Sequence, residues 1–160
     1  MGIDIHMYLV KDKKIVKENI YKGRDSEWFN NLQGDGWDDV YDTFPVEYGV
    51  SPQAPSELNE KANEKFYFDR RYISVKAFKD WFIQHRPDLR AGWVTTYDRW
   101  NYKRRGVLPD EKRFLDKEDN KNDYHFIEYS DENDQSLWLY NYLKDNNIED
   151  DVDIIYWFDH

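Results

Sequence analysis

An acid and an imidazole stand two residues apart in the opening segment Met-Gly-Ile-Asp-Ile-His, as Asp4 and His6. If this segment is a β-strand, both side chains project from one face, with their Cα atoms about 6.5–7 Å apart. Such a pair can share a divalent cation, or it can form an Asp–His couple that orients a proton transfer. A metal site needs three or more ligands, and only two are local here. The structural alternative is that Asp4 simply accepts a hydrogen bond from His6 or from a loop amide.

Further acids and imidazoles occur near the end of the chain. Asp159 and His160 close the sequence, and Asp123 and His125 repeat the acid–x–imidazole spacing. If their strands neighbour the first strand, carboxylates and imidazoles from three strands would converge. Asp159 is then the third candidate metal ligand beside Asp4 and His6, and the cofactor would be a divalent metal. The alternative interpretation is that these groups are exposed polar ends of strands.

The middle of the chain is basic, unlike the rest. Residues 66–105 carry ten basic and four acidic side chains, 10 − 4 = +6, so the remainder of a chain of net charge −10 is −16. Aromatic residues are interleaved with these cations, and rings could stack on a base while guanidinium groups hold phosphate. We expect an anionic ligand to contact three residues of this segment, Arg70, Arg71 and Tyr72, together with Arg24, Asp4 and His6 from the start of the chain. The alternative is that the basic segment pairs with the acidic remainder, or with that of a second copy in a homo-oligomer.

The overall charge excludes some partners. Lys and Arg number 23 against 33 Asp and Glu, and so acidic a chain is repelled by duplex nucleic acid and by an anionic membrane surface. No stretch approaches the roughly 18 apolar residues of a membrane span, and no basic-then-apolar leader is visible at the start. Cysteine is absent, which removes disulfides and thiolate chemistry and fits a cytoplasmic protein.

The sequence lacks the short signatures of common catalytic sites. It has no G-x-S-x-G, no H-E-x-x-H and no glycine-rich loop able to cradle phosphate. No complete catalytic set is therefore visible, and the sequence favours a binding protein over an enzyme.

The periodicity predicts an α+β fold in one domain, residues 1–160, with a mostly antiparallel sheet and two or three helices packed on it. In the first strand, residues 2–10, Ile5, Met7 and Leu9 alternate with Asp4, His6 and Tyr8. The last strand, residues 151–160, is dense in apolar residues and is expected at the sheet centre. Residues 91–105 fit either a helix or a strand. The other predicted elements are a strand over 15–20, a short helix capped by Ser26 and closed by Gly34, an exposed helix over 56–65, a helix over 75–85 capped by Ser74, a strand over 124–129 and a helix over 133–144.

Three blocks of the sequence resemble a known group. The opening is similar to the Met-Gly-Cys-Asp-Ile-His start of small uncharacterised phage and prophage proteins, with Ile3 in place of the cysteine. Residues 23–29 resemble that group's Gly-Arg-Asn-Tyr-Asp-Leu-Phe stretch, and residues 152–160 resemble its closing strand. The group has no established activity. The resemblance implies a phage accessory protein acting on host defence or metabolism, and it marks Asp4, His6, Arg24, Asp25 and Asp159 as shared positions.

Three functions remain open from the sequence. The first is a non-catalytic module of phage type that binds an anionic, nucleotide-like small molecule, including a nucleotide signal of host defence. The second is a metal-assisted phosphoesterase that uses Asp4 and His6. The third is an acidic protein that inhibits a host protein by imitating nucleic acid.

Overall fold

The computed structural model describes residues 4–23, 32, 43–58, 70–107, 109, 114 and 124–159, and of residues 22, 23 and 159 the backbone alone. Contacts divide the chain into two compact units, residues 1–87 with 135–160, and residues 88–134. Among the described residues the elements are β1 (Asp4–Lys11), β2 (Lys14–Gly23), β3 (Glu47–Tyr48), β4 (Arg71–Ser74), α1 (Val75–His85), β5 (Leu89–Thr95), α2 (Thr96–Arg105), β6 (Tyr124–Ser130), α3 (Gln135–Asp145) and β7 (Asp153–Asp159).

A five-stranded sheet organises the first unit. Its strand order is β2-β1-β7-β4-β3, and every neighbouring pair is antiparallel. The apolar strand β7 lies at the centre, because its residues must be covered on both faces. The α+β class with a mostly antiparallel sheet is confirmed, and so is the central position of the last strand.

Helices α1 and α3 cover one face of this sheet. Ile5, Met7 and Leu9 of β1 pack there in one buried cluster with side chains of both helices, such as Phe78 and Leu139. The helix α1 begins where the sequence predicts, since the Ser74 hydroxyl accepts a hydrogen bond from the Ala77 amide at 3.1 Å. We call this the helix face of the sheet.

The opposite face carries Asp4, His6 and Tyr8 of β1, and we call it the His6 face. Part of it is covered by residues 49–58, whose Ala54 and Leu58 pack against Val10 and Ile155. The segment leaves β3 through Gly49, whose φ of +109° is a conformation that only glycine adopts without strain.

The second unit contains a two-stranded antiparallel sheet of β5 and β6, with α2 packed against it. Val94, Ile127 and Tyr129 are buried there, with Tyr102 of α2 and Phe114 packed on them. At Gly92 an added Cβ would lie 2.5 Å from the Phe114 ring, so a side chain at that position would displace the ring.

Residues 91–105 fit either a helix or a strand in the sequence. In the structure the first part is a strand and the second part is a helix. The strand β5 runs to Thr95, whose hydroxyl then caps α2 by accepting from the Asp98 amide at 3.2 Å. The short strand β4 was not foreseen, because four residues are too few for a visible alternation. The helices predicted from Ser26 and Ser56 lie outside the described residues, apart from residues 32 and 56–58. None of the helices within the described ranges is long and apolar enough to cross a membrane.

Candidate functional site

The first strand holds Asp4 and His6 on one face, as their spacing predicts. In the antiparallel register Asp4 lies opposite Asp159 and His6 lies opposite Trp157. Both Asp4 and His6 are partly exposed. The three residues proposed as metal ligands are therefore neighbours at one end of the β1–β7 pair.

Three nearly parallel rings lie on the His6 face. The Trp157 ring stacks with His6 at a centroid distance of 5.3 Å and an interplanar angle of 16°. It also stacks with Tyr8, at 5.2 Å and 9°. We call these residues the ring stack. Each is partly exposed, and such a surface suits a further planar ring, because every nucleobase has a π face.

The Tyr8 hydroxyl adds a polar group to the ring stack. Burial, and then the negative charge of Glu18, raise the pKa of Tyr8 above its ordinary value of 10.0. The phenol therefore stays protonated at neutral pH, where it is a hydrogen-bond donor as well as an acceptor.

A small cleft of about 20 Å³, which is room for about one water molecule, lies beside Trp157. Its walls come from residues 49–58, from the start of β4 and from β7, and its lining includes Arg70, Arg71, Ser51 and Trp157. We call it the Arg70 cleft. Arg70 is only 5% exposed, so its guanidinium group is withdrawn from solvent, where a charge-assisted hydrogen bond is stronger than in water.

Adjacent arginines in an extended chain project to opposite faces, and this separates Arg70 from Arg71. Arg71 lies opposite Tyr156 in the register, and Tyr156 belongs to the cluster on the helix face. The Arg71 guanidinium carbon lies 5.0 Å from the ring centroid of Tyr48 and 5.5 Å from that of Phe158. Arg71 therefore lines the cleft while its charge contacts aromatic rings.

Buried polar contacts hold the wall formed by residues 49–58. The Ser51 hydroxyl donates to the Asp153 carboxylate at 2.6 Å, and both side chains are buried. The Gly49 amide donates to the Arg70 carbonyl at 2.9 Å. The Gln53 side chain donates to the Asp151 carbonyl at 2.9 Å. These contacts hold the wall against the start of β7 and against Arg70, whose charge lies in the cleft.

Tyr156 lies beneath the cleft and is fully buried. Its hydroxyl donates to the Leu32 carbonyl at 2.7 Å. Burial raises the pKa of Tyr156 well above its ordinary value, and the nearby positive charge of Arg71 opposes that rise. The phenol is therefore a neutral structural group and not a source of protons at neutral pH.

The expected ligand contacts are only partly brought together. Arg70 and Arg71 line one cleft with Trp157, which stacks with His6. Tyr72 lies opposite Ile155 on the same sheet face and packs into the cluster under residues 49–58. Arg24 and Asp25 lie outside the described residues.

The second acid–imidazole pair is not a neighbour of the first strand. His125 belongs to β6, which pairs with β5 in the two-stranded sheet. Its Nδ1 lies 2.9 Å from Nη1 of Arg99, and its Nε2 lies 3.0 Å from the Thr96 hydroxyl. Since a guanidinium group can only donate, Nδ1 accepts and the ring carries its proton on Nε2. Asp123 and His160 lie outside the described residues.

No group of three or more His, Asp or Glu side chains that could hold a metal occurs among the side chains the structure describes. Asp4 and His6 are two ligands. The third candidate, Asp159, is described by its backbone alone.

Sequence reasoning missed Trp157 and Ser51 as parts of the site. Trp157 was assigned only to a buried strand, because its position opposite His6 depends on a strand register that the sequence does not show. Ser51 stands in an irregular segment, and its contact with Asp153 spans 102 residues. No local pattern reveals a contact of that length.

Comparisons with protein-family models, with curated proteins and with solved structures found no match to this chain.

Proposed function

We propose that this protein is a non-catalytic binding module of phage type for an anionic, nucleotide-like small molecule. The ligand's phosphate lies in the Arg70 cleft, and its base extends the ring stack of His6, Tyr8 and Trp157. The single observation that carries the proposal is the position of Trp157, which lines the cleft and also belongs to the stack.

The chemistry of the cleft supports an anion. A buried guanidinium group offers up to five donors in a fixed plane and matches phosphate in a bidentate manner. The Ser51 hydroxyl and Arg70 line the same cavity.

The size of the cleft limits the ligand. Pockets for drug-sized ligands enclose about 300–1,000 Å³, whereas this cleft measures about 20 Å³, which is room for about one water molecule. Only phosphate oxygens fit at its mouth, while the sugar lies outside and the base lies on the rings. We therefore expect a mononucleotide or a small cyclic nucleotide, which includes the signal nucleotides of host defence.

The resemblance of the opening and closing segments to phage and prophage proteins supports an accessory role in a host cytoplasm. The net charge of −10 supports a small ligand over duplex nucleic acid. A second copy or a host protein remains an alternative partner.

Thermal unfolding with mono-, di- and cyclic nucleotides, with inorganic phosphate and with free nucleosides tests the proposal. A ligand at 100 times its Kd stabilises the folded protein by about 2.7 kcal/mol. We expect a nucleotide to raise the Tm more than phosphate or the nucleoside alone. Absence of a shift with every nucleotide would reject the proposal, and salt-sensitive co-purification of a basic protein would instead favour the inhibitor.

Substitutions locate the site. Arg70→Lys keeps the charge but loses the bidentate fork, and we expect it to weaken nucleotide binding about tenfold. Trp157→Phe shortens the ring stack and should weaken nucleotides while leaving phosphate unaffected. Arg86→Lys is the matched control, because Arg86 is an exposed arginine of the same unit.

The register favours one second candidate, a metal-assisted phosphoesterase. Asp4 and Asp159 are directly paired, and His6 follows on the same face. Elemental analysis of protein purified without a His-tag tests this function. Bound metal that Asp4→Asn or His6→Ala removes would support it, and a metal-free protein whose Tm ignores Mn²⁺ and Zn²⁺ would reject it.

A further inference from the structure

The outer surface of α2 combines exposed aromatic rings with exposed cations. Tyr97 is 62% exposed and Trp100 is 44% exposed, and the last turn carries Lys103, Arg104 and Arg105. We call these five residues the α2 surface. Tyr97, Trp100 and Arg104 follow an i, i+3, i+7 spacing, which puts them on one side of the helix.

The inner side of α2 is already occupied. Tyr102 packs with Val94, Ile127 and Tyr129, and Asp98 is 4% exposed beside the Thr95 hydroxyl. Arg99 contacts His125. The one acidic residue of the helix is therefore buried at its first turn, and the side that faces solvent carries only positive charge.

These cations make no ion pair with a carboxylate in the part of the chain that the structure describes. The contact seen there is between Arg105 and Trp100, with the guanidinium carbon 5.1 Å from the ring centroid. Cations at the C-terminal end of a helix stabilise it, because they interact favourably with the negative end of the helix dipole. The dipole accounts for the charges, but it does not account for two large exposed rings beside them.

From this arrangement we propose that the α2 surface binds a short segment of single-stranded nucleic acid. Bases stack on Trp100 and Tyr97, and phosphates pair with Lys103, Arg104 and Arg105, which is how sequence-tolerant single-strand sites are built. This site is independent of the Arg70 cleft and shares no residue with it.

The ligand class follows from the rings and the charges together. An acidic peptide would pair with the cations but would leave the rings without partners. A duplex hides its base faces in its own stack. The helix of ten residues is about 15 Å long, so the site has room for only a few unpaired nucleotides.

The acidity of the rest of the chain does not prevent this binding. At 0.1 M salt the Debye length is about 10 Å, so carboxylates farther than this from the cations are largely screened. Such a site has modest affinity and a marked dependence on salt.

Fluorescence polarisation with labelled oligo-dT and oligo-U of about 12 nucleotides, within the known range of single-strand sites, tests the proposal. Trp100→Ala should weaken binding about five- to 150-fold while the salt dependence stays unchanged. Arg104→Gln and Arg105→Gln should each reduce the slope of log K against log salt by about 0.7. The same polarisation measurement with a labelled DNA duplex and with labelled polyglutamate tests the two alternative ligands, a duplex and an acidic peptide.

Lys144→Gln is the matched control, because it removes an exposed cation from the last turn of another helix. It should leave binding unchanged. Circular dichroism checks that each variant folds. If Trp100→Ala unfolds, Trp100→Phe should retain most of the binding and Tyr97→Ala should lose several-fold.

Equal affinity for the duplex or for polyglutamate, or a Trp100 variant that binds like the wild type, would overturn the proposal. Mononucleotide binding in the Arg70 cleft is measured separately, so either proposal can fail alone.

Discussion

Two pairs of arginines in this chain stand in opposite environments. Arg70 and Arg71 are buried beside a cleft of the first unit, whereas Arg104 and Arg105 are exposed at the end of α2 in the second unit. A buried guanidinium group needs neighbouring groups that compensate for its lost hydration. Its contacts therefore contribute to the stability of the fold and not only to ligand binding. An exposed guanidinium group contributes little to the free energy of unfolding, so its removal changes stability little. The same residue type thus lines a cleft in one unit and an exposed helix surface in the other.

The largest expected effect comes from removing an arginine in each environment. We expect Arg71→Ala to lower the free energy of unfolding by about 2–4 kcal/mol, since a buried side chain loses its contacts with the buried Phe158 ring and with the exposed Tyr48 ring. Arg105→Ala should change the stability by less than about 0.5 kcal/mol. Urea denaturation measures both. If the two variants were equally stable, the distinction between the two environments would fail.

A smaller effect tests the wall of the Arg70 cleft. Ser51→Ala removes the hydroxyl that donates to the buried Asp153 carboxylate, and we expect a loss of about 1.5–3 kcal/mol. Ser56→Ala is the matched control in the same segment, because Ser56 is exposed, and it should fall within about 0.5 kcal/mol of the wild type. A Ser51 variant as stable as the control would show that this hydrogen bond does not hold the wall.

The smallest effect concerns pH. Because the pKa of Tyr156 is raised in the folded state, the folded protein keeps this proton at pH values where the unfolded chain loses it. The contribution to stability is complete below pH 10, the ordinary value, and is lost as the pH rises from there through the folded pKa. We expect the free energy of unfolding to fall by up to about 1.4 kcal/mol per pH unit on this account.

Tyr156→Phe removes that titration. Its stability should start lower, because the bond to Leu32 is lost, and should then decline less steeply above pH 10 than that of the wild type. Parallel slopes for the two proteins would mean that Tyr156 is not the group responsible.

Much of the fold could be predicted from local patterns. The alternation in β1 correctly separated Ile5, Met7 and Leu9 from Asp4, His6 and Tyr8, because a strand has a period of two whatever it pairs with. The cap at Ser74 was visible for a similar reason, since it depends on an amide only three residues away. Residues 91–105 were ambiguous because the strand and the helix meet at Thr95, inside one window.

The candidate site was less predictable than the fold. Asp4 and His6 were identified together because they are two residues apart in one strand. Arg70 and Arg71 were identified as a pair, but neighbours in extended chain cannot point the same way, and the guanidinium group of Arg71 contacts rings of other strands. The sequence could not predict that these arginines lie near Trp157, because the residues are almost ninety positions apart in the chain.

The sequence by itself determined the composition of the faces: which side chains share a side of a strand or helix, where helices begin, and that the chain is acidic with a basic, aromatic middle. Those properties depend on backbone geometry over a few residues. Only the tertiary structure decided which strands became neighbours, and hence that Trp157 lies between the ring stack and the Arg70 cleft. Strand order and register are set by burial summed over the whole core, and no short window of sequence contains that sum.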